Sequence, residues 1–285
     1  KNELDKALRL FKEAQQINPK SLATRVNIGS VYLLQKKYPE AQKEYEEVLK
    51  IDPERIDALT ALAQLDSIQG NAKAAIARAE QHVKKMKNQA AGYQLLGQLT
   101  LQAKDFPKGI QYLEKALEMN PNLNSAYALI GNAYAAQQKF DAAIEQYQIL
   151  AKKNSKAIAP YMMLAILHDR KKQPAKANEY YQKVLDINKN IAPAANNLAW
   201  NYAEHGGNLD VAFTLAQKAR ELNANDPGIA DTLGWIHYKK GSYATAIALL
   251  KESNDKFNGA NPTVLYHLGM AYLKMDEEST ARAML

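Results

Sequence analysis

Apolar residues recur along almost the whole chain at helical spacing, and short polar turns interrupt them at regular intervals. In the segment 192–204, Ala195, Leu198, Ala199 and Tyr202 lie on one side of a helix with 3.6 residues per turn, and Trp200 lies roughly opposite them. Strand-like alternation is not the prevailing pattern. The spacing therefore predicts an all-α chain of helices of about 13 to 16 residues joined by short turns.

A repeat of 34 residues orders these helices. A large apolar residue followed by Gly or Ala returns at this interval, and at 35 residues for the last two copies: Ile28-Gly29, Leu62-Ala63, Leu96-Gly97, Ile130-Gly131, Leu164-Ala165, Leu198-Ala199, Leu233-Gly234 and Leu268-Gly269. A small residue with an aromatic residue four positions later recurs at the same place in the repeat: Ala7 and Phe11, Ala41 and Tyr45, Ala143 and Tyr147, and Ala177 and Tyr181. The small residues predict close antiparallel packing of two helices per repeat, and the aromatics fill the wedge between repeats.

Proline and glycine mark the ends of these helices. Pro19, Pro53 and Pro121 lie at 34 residues or twice that spacing, and each stops a helix because proline cannot donate the next backbone hydrogen bond. Gly70 and Gly241 lie between the two helices of a repeat, where we predict a left-handed turn.

The order of Leu-Gly, Tyr, Ala, aromatic and Pro resembles the tetratricopeptide repeat along the whole chain. The resemblance implies an all-α, right-handed superhelical solenoid of antiparallel helix pairs, with about eight to nine repeats. The predicted bounds are 1–21 (second helix only), 22–55, 56–89, 90–123, 124–157, 158–191, 192–226, 227–261 and 262–285 (incomplete). Because both terminal repeats are incomplete, we expect a single solenoid domain that is a fragment of a longer protein.

Two repeats depart from the pattern. In the repeat 56–89, Ala79 replaces the aromatic, His82 replaces the next small residue and no proline follows, so we expect a looser repeat that opens first. The repeat 192–226 carries one extra residue near Gly206-Gly207-Asn208, which we interpret as a longer turn.

Composition excludes several classes of function. The chain has no cysteine, so disulfides and thiolate chemistry are excluded. The net charge of +7 comes mostly from lysines in mixed-sign stretches, without the aromatic interleaving or module of a nucleic-acid reader. No apolar run approaches the ~20 residues of a membrane span. We expect no nucleic-acid partner and no membrane-spanning segment.

No catalytic, cofactor-binding or metal-binding constellation is visible. The histidines occur singly in different repeats, without HExxH spacing, and neither a phosphate-binding loop nor a GxSxG elbow is present. His168 and His237 occupy the position of Tyr32 and Tyr134 in sister repeats, which indicates a packing role. We therefore predict a protein that is not an enzyme and that needs no cofactor or metal.

The side of each first helix that is opposite the core is the candidate site. In the family that the chain resembles, this side lines a concave groove. Its central position changes from polar to apolar along the chain: Ser30, Gln64, Gln98, Asn132, Ile166, Trp200, Trp235 and Met270, flanked by Arg170, Asn196, Asp231, Tyr238 and Tyr266. The aromatic part could form a platform for a peptide, a helix or a sugar ring. Alternatively, Trp200 and Trp235 pack on each other and on neighbouring helices.

These features predict a scaffold that binds a protein or peptide in the groove. A clamp for a chaperone's terminal carboxylate is disfavoured, because the Lys and Arg partners of Asn27 and Asn132 are missing. The segments 196–200 and 230–235 resemble tetratricopeptide lipoproteins associated with bacterial exopolysaccharide export and exosortase sorting, which implies a periplasmic or lipid-anchored envelope protein. Alternatives are a cytoplasmic protein, a carbohydrate-binding or polysaccharide-guiding solenoid, the targeting arm of a larger enzyme, or end-to-end self-association.

Overall fold

The computed structural model describes residues 2–284, which form seventeen α-helices and no strand. In chain order these are α1 (Asn2–Ile17), α2 (Leu22–Leu34), α3 (Tyr38–Ile51), α4 (Ile56–Ile68), α5 (Ala72–Val83), α6 (Ala90–Gln102), α7 (Phe106–Met119), α8 (Asn124–Ala136), α9 (Phe140–Lys153), α10 (Ile158–Arg170), α11 (Pro174–Ile187), α12 (Ala192–Glu204), α13 (Leu209–Leu222), α14 (Pro227–Lys239), α15 (Tyr243–Lys256), α16 (Pro262–Leu273) and α17 (Glu278–Met284). The predicted all-α class is confirmed.

The helices divide into two compact parts, here called the N-terminal half, which ends at Lys139, and the C-terminal half, which begins at Phe140. Within each half every helix packs against the next helix in the chain. Even-numbered helices are the first helices of the predicted repeats, and odd-numbered helices are the second helices. First helices of adjacent repeats also touch, as α4 touches α6 and α14 touches α16. The exact bounds of the repeats stay a prediction.

Small residues set the distance between the two helices of a repeat. Ala41 and Ala177 are fully buried, and so are Tyr45 and Tyr181, one turn further along the same helices. Burial raises the pKa of Tyr147, in the equivalent place, to about 12. A Cβ atom added to Gly97 of α6 would lie 2.5 Å from Leu113 Cγ of α7, closer than van der Waals contact allows. The predicted close packing is confirmed.

The turns between the two helices of a repeat share one backbone conformation. A residue with positive φ occurs at a spacing of 34 or 35 residues: Lys36, Gly70, Lys104, Gln138, Lys172, Gly206, Gly241 and Asp276. Gly70 (φ 79°) and Gly241 (φ 81°) are left-handed as predicted. The other members include three lysines, although this conformation costs a residue with a side chain about 1–2 kcal/mol. Position in the repeat therefore determines the conformation more strongly than the residue type.

Helix starts and stops follow the local sequence. Pro19, Pro53 and Pro121 lie in turns between helices, as predicted. Asp226 and Asn261 accept hydrogen bonds from backbone N–H groups at the starts of α14 and α16. The turn before α13 has four residues where the turn before α15 has three, so the extra residue near Gly206 lies in a turn. No helix of residues 2–284 is long and apolar enough to span a membrane.

Polar contacts stabilise the end of the irregular repeat 56–89, which contains α5. His82 Nε2 lies 2.8 Å from the carbonyl oxygen of Pro53. The Glu54 carboxylate accepts hydrogen bonds from the backbone N–H groups of Lys87 (2.6 Å) and Asn88 (3.1 Å). These contacts hold the connection after α5 where other repeats have a proline. Earlier opening of this repeat stays a prediction, and the structure supplies contacts that oppose it.

Candidate partner-binding site

In the N-terminal half, carboxamides lie two residues after the buried apolar residue of the three first helices α4, α6 and α8. Leu62 and Leu96 are buried, whereas Gln64, Gln98 and Asn132 are exposed. Two residues correspond to about 200° around an α-helix. The carboxamides therefore lie on the side of α4, α6 and α8 that faces away from the second helices, where the sequence places the groove.

A pocket of about 280 Å³ opens on this face between α6 and α8. Carboxamide and apolar side chains line it together: Gln98, Leu101, Gln102, Phe106, Leu129, Asn132 and Ala133. Pockets for drug-sized ligands measure about 300–1,000 Å³. This pocket is therefore suited to a side chain or a short stretch of peptide.

Close helix packing builds the wall of this pocket. Gly109 of α7 leaves room for Leu101 of α6, because a Cβ atom at Gly109 would lie 2.6 Å from Leu101 Cδ2. Leu101, Phe106 and Leu129 then pack partly buried against the core that includes Ile110. Their remaining exposed surface faces the carboxamides, so apolar contact and hydrogen bonding are available side by side.

In the C-terminal half, the candidate residues differ widely in exposure. Arg170 is exposed and makes no ion pair with another described residue, and Ile166 and Met270 are half-buried. Tyr266 is 49% exposed. Asn196 is half-buried, and its Nδ2 donates to Asn197 Oδ1 at 3.4 Å. These residues do not form one continuous surface of similar character.

Trp235 is buried, with 7% of its surface exposed. Its indole lies parallel to the Tyr238 ring, with centroids 4.6 Å apart, and nearly parallel to the His267 ring, at 4.1 Å. The indole Nε1 donates a hydrogen bond to Glu204 Oε1 at 2.5 Å. Trp235 therefore uses its rings and its N–H group within the protein.

Glu204 joins α12 to α14. Its carboxylate also pairs with Lys239 Nζ at 2.8 Å, and that ammonium lies 5.4 Å from the Trp235 ring centroid. Burial by itself would raise the pKa of Glu204, but the hydrogen bonds from Lys239 and Trp235 outweigh it and lower the pKa below its ordinary value. The folded state therefore stabilises the charged carboxylate.

His267 lies at the centre of the aromatic cluster. Its Nδ1 is 2.8 Å from Asp231 Oδ1, and the two side chains are 4% and 12% exposed. The Trp200 ring, which is half-buried, lies 5.5 Å from the His267 ring. Both indoles thus contact His267, which joins α16 to α12 and α14. The packing alternative holds for Trp235, while Trp200 and Tyr266 keep exposed surface.

Sequence reasoning missed His267, because it treated the histidines as single, unconnected residues. The available signal was its distance from Asp231 along the chain. The two residues are 36 positions apart, one more than the local repeat length, and first helices of adjacent repeats touch. Asp231 on α14 therefore meets a residue that lies one position beyond its equivalent on α16.

A second polar network joins α10, α11 and α12. Asp169 accepts hydrogen bonds from Asn201 Nδ2 at 2.8 Å and from the Tyr181 hydroxyl at 2.7 Å. Asn197 Nδ2 donates to the same Tyr181 oxygen at 3.0 Å. Burial and the Asp169 carboxylate both raise the pKa of Tyr181. This network ties the three helices together.

His168 and His237 make packing contacts. His168 is buried, lies 2.8 Å from Gln173 Oε1 through Nδ1, and stacks on Tyr180. His237 meets Phe213 edge-on, and burial followed by the nearby Lys240 lowers its pKa. Residues 2–284 contain no group of three or more His, Asp or Glu side chains placed to hold a metal ion.

Comparison with known proteins identifies the family of the chain. Tetratricopeptide repeat families match residues 1–65, 32–99, 95–158 and 128–195, and these matches together span more than half of the chain. The chain is 23% identical over 186 residues to the human protein O-mannosyl-transferase TMTC1, which covers 64% of this chain and 20% of that protein. It is 26% identical over 147 residues to the Hsp70-Hsp90 organizing protein 1 of Glycine max, covering 52% and 20%.

Among solved structures, the chain is similar to YrrB, described as a TPR protein with an unusual peptide-binding site. The TM-score is 0.54 at 19% identity, over 66% of this chain and 95% of that one. The chain spans about a fifth of the length of the two sequence relatives. The repeat signature, the paired helices and these matches lead to one conclusion: the chain belongs to the tetratricopeptide repeat family.

Proposed function

We propose that this chain is a non-enzymatic scaffold that holds an extended segment of a protein partner against the first-helix face of its N-terminal half. The observation that carries the proposal is the pocket between α6 and α8, where Leu101, Phe106 and Leu129 adjoin Gln98, Gln102 and Asn132. A carboxamide both donates and accepts hydrogen bonds, as a peptide backbone does. An apolar side chain of the partner would enter the pocket while its backbone pairs with the carboxamides.

The relatives support a binding role. The Glycine max relative is an organizing protein for Hsp70 and Hsp90, and YrrB has a peptide-binding site. The human relative is a transferase, but the match covers only a fifth of it. Participation in a larger enzyme as a targeting arm is compatible with the same binding role.

The C-terminal half supports a weaker second candidate. Trp200 and the exposed Tyr266 leave aromatic surface beside His267. Such surface could stack on a sugar ring, as a carbohydrate-binding solenoid requires. Trp235 does not contribute, because its rings and N–H group already have partners.

A further proposal concerns the cellular compartment of the protein. The segments 196–200 and 230–235, with their resemblance to exopolysaccharide-associated lipoproteins, favour a bacterial envelope assembly. Cell fractionation of the full-length protein tests this directly. Recovery with the cytoplasmic fraction would exclude the envelope and leave the scaffold proposal intact.

The peptide proposal is tested by selecting peptides from a displayed library on the immobilised chain. Selected peptides are then measured against the wild type and Gln98→Ala/Gln102→Ala by fluorescence anisotropy. Loss of two hydrogen-bonding side chains is expected to weaken binding by roughly tenfold. Hydrogen exchange should show protection of α6 and α8 on binding.

The matched control is Gln111→Ala/Gln148→Ala, which removes two exposed carboxamides from second helices. We expect its affinities to stay within about twofold of the wild type. Equal weakening by both double variants would contradict the proposal, and so would protection confined to second helices.

A further inference from the structure

A second recess lies on the other side of α6. It is lined by Glu80, Val83, Lys84, Tyr93, Leu96, Tyr112 and Lys115 and measures about 280 Å³. Leu96 lies two residues before Gln98, so this recess and the groove face are on opposite sides of the helix. Tyr93 also belongs to α6, and the remaining lining comes from the second helices α5 and α7 and from Lys84, directly after α5. The recess is therefore separate from the peptide site proposed above.

Two tyrosines form the wall of this recess. The rings of Tyr93 and Tyr112 stack with centroids 6.1 Å apart. The Tyr112 hydroxyl donates to Glu80 Oε1 at 2.5 Å, and Lys108 Nζ pairs with the same oxygen at 2.9 Å. Hydrogen bonds from Tyr112 and then from Lys108 lower the pKa of Glu80. The only carboxylate in the lining is thus already engaged.

Two lysines at the recess form no close ion pair, although Lys84 is near enough to Glu80 to help lower the pKa of that carboxyl. Lys115 Nζ lies 5.7 Å from the Tyr93 ring centroid. Neither Lys84 nor Lys115 forms an ion pair among residues 2–139. A ring face attracts an ammonium group but does not cancel its charge. The lining holds the ammonium groups of Lys84 and Lys115 and the single carboxylate of Glu80, so its net charge is positive.

The same arrangement recurs in the C-terminal half, 68 positions further along the sequence. Tyr161 and Tyr180 stack with centroids 6.3 Å apart. Lys183 Nζ lies 5.8 Å from the Tyr161 centroid and 5.1 Å from the Tyr180 centroid. Lys183 is exposed and makes no ion pair among residues 140–284. Two independent repeats thus place a lysine over a tyrosine pair without neutralising it.

We infer that the second-helix side binds acidic segments of a protein partner. An apolar side chain would enter the recess against Val83 and Leu96, and flanking Asp or Glu carboxylates would pair with Lys84 and Lys115. A planar bilayer surface would not reach into a recess. The tyrosine rings face each other and Lys115, which leaves little free ring surface for nucleic-acid bases.

The test uses a fluorescein-labelled peptide with Glu-Asp-Phe-Asp-Glu at its centre and a matched peptide with Gln-Asn-Phe-Asn-Gln. Anisotropy is measured with the wild type, Lys84→Gln/Lys115→Gln, and the control Lys20→Gln/Lys73→Gln. The control removes the same charge from exposed lysines outside the recess. All variants are first checked for wild-type circular dichroism.

We expect the acidic peptide to bind more tightly than the amide peptide. Lys84→Gln/Lys115→Gln should weaken binding of the acidic peptide by roughly five- to tenfold, because two ion pairs are lost. The control should change it by less than about twofold, since it changes only the net charge. Replacing the peptide's Phe by Gly should cost about tenfold or more if its ring enters the recess.

Three outcomes would overturn the inference. Equal weakening by the two lysine variants would indicate attraction to net charge alone. Weakening by Gln98→Ala/Gln102→Ala would locate the acidic peptide in the groove. Tighter binding of polyuridylate, lost in Lys84→Gln/Lys115→Gln, would make the recess a nucleic-acid site. The second outcome would support peptide binding in the groove, and the other two leave that question open, so the two proposals can fail separately.

Discussion

The first-helix faces of residues 64–132 and 200–270 occupy equivalent positions of the repeat. They differ in how far their side chains are packed against, or hydrogen-bonded to, other residues of the protein. The first presents exposed Gln64 and Gln98 beside an open pocket. In the second, Trp235 is covered by neighbouring rings and bonded to Glu204. The position in the repeat determines on which side of the helix a side chain lies. Contacts with the neighbouring repeat determine whether that side chain remains exposed. Size and aromatic character alone therefore do not predict whether a side chain stays exposed.

The strongest test of this contrast replaces one residue from each face. Trp235→Ala should lower the free energy of unfolding by about 3–5 kcal/mol, because it removes a large buried side chain. Gln98→Ala should change it by no more than about 0.5 kcal/mol, because the side chain is exposed. Urea unfolding followed by circular dichroism measures both, and hydrogen exchange of α14 locates the first effect. Similar values for the two variants would remove the contrast.

A smaller change in the free energy of unfolding is expected when His267, whose ring stacks on the Trp235 indole, is replaced. His267→Ala removes the ring stacked on Trp235 and leaves the Asp231 carboxylate without its partner, so we expect a loss of about 2 kcal/mol. His205→Ala is the matched control, because His205 is exposed in a turn. Urea unfolding of the two variants provides the comparison. If His267→Ala were as stable as His205→Ala, the cluster would not depend on its central ring.

The smallest expected change in the free energy of unfolding comes from removing the charge of Glu204. Since the pKa of Glu204 is lowered in the folded state, its contribution to stability is present above the ordinary glutamate value of 4.5 and is lost as the pH falls through the folded value. Glu204→Gln should cost about 0.5–1 kcal/mol at neutral pH. The difference from wild type should shrink in acid, as unfolding measured over a pH series would show. A constant difference across that series would contradict this origin.

The sequence carries enough information for the helices, their pairing and the exposed carboxamides. All of these depend on periodicity within one repeat, as Leu96 and Gln98 illustrate. The burial of Trp235 could not be predicted in this way, because it depends on Tyr238 and on His267 from the next repeat. The recess beside Tyr93 was also missed, since its lysines are scattered along α5 and α7 and meet only after packing.

Left-handed turn residues were predicted only where glycine occurs. Lys36, Lys104 and Lys172 adopt the same conformation without any local signal. Phase within the repeat would have identified them, because each lies 34 residues from a neighbour in the series. Conformational preference is a weaker predictor here than position.

This common turn geometry has a consequence for how such a chain can change in length. Every turn between paired helices contains a residue in the same left-handed conformation. A segment that is cut at two such turns therefore has equivalent ends. Duplication or deletion of such a segment leaves no mismatched junction. The extra residue beside Gly206 shows that such a turn also tolerates a small insertion. The number of helix pairs in such a chain can therefore grow or shrink by recombination within its gene.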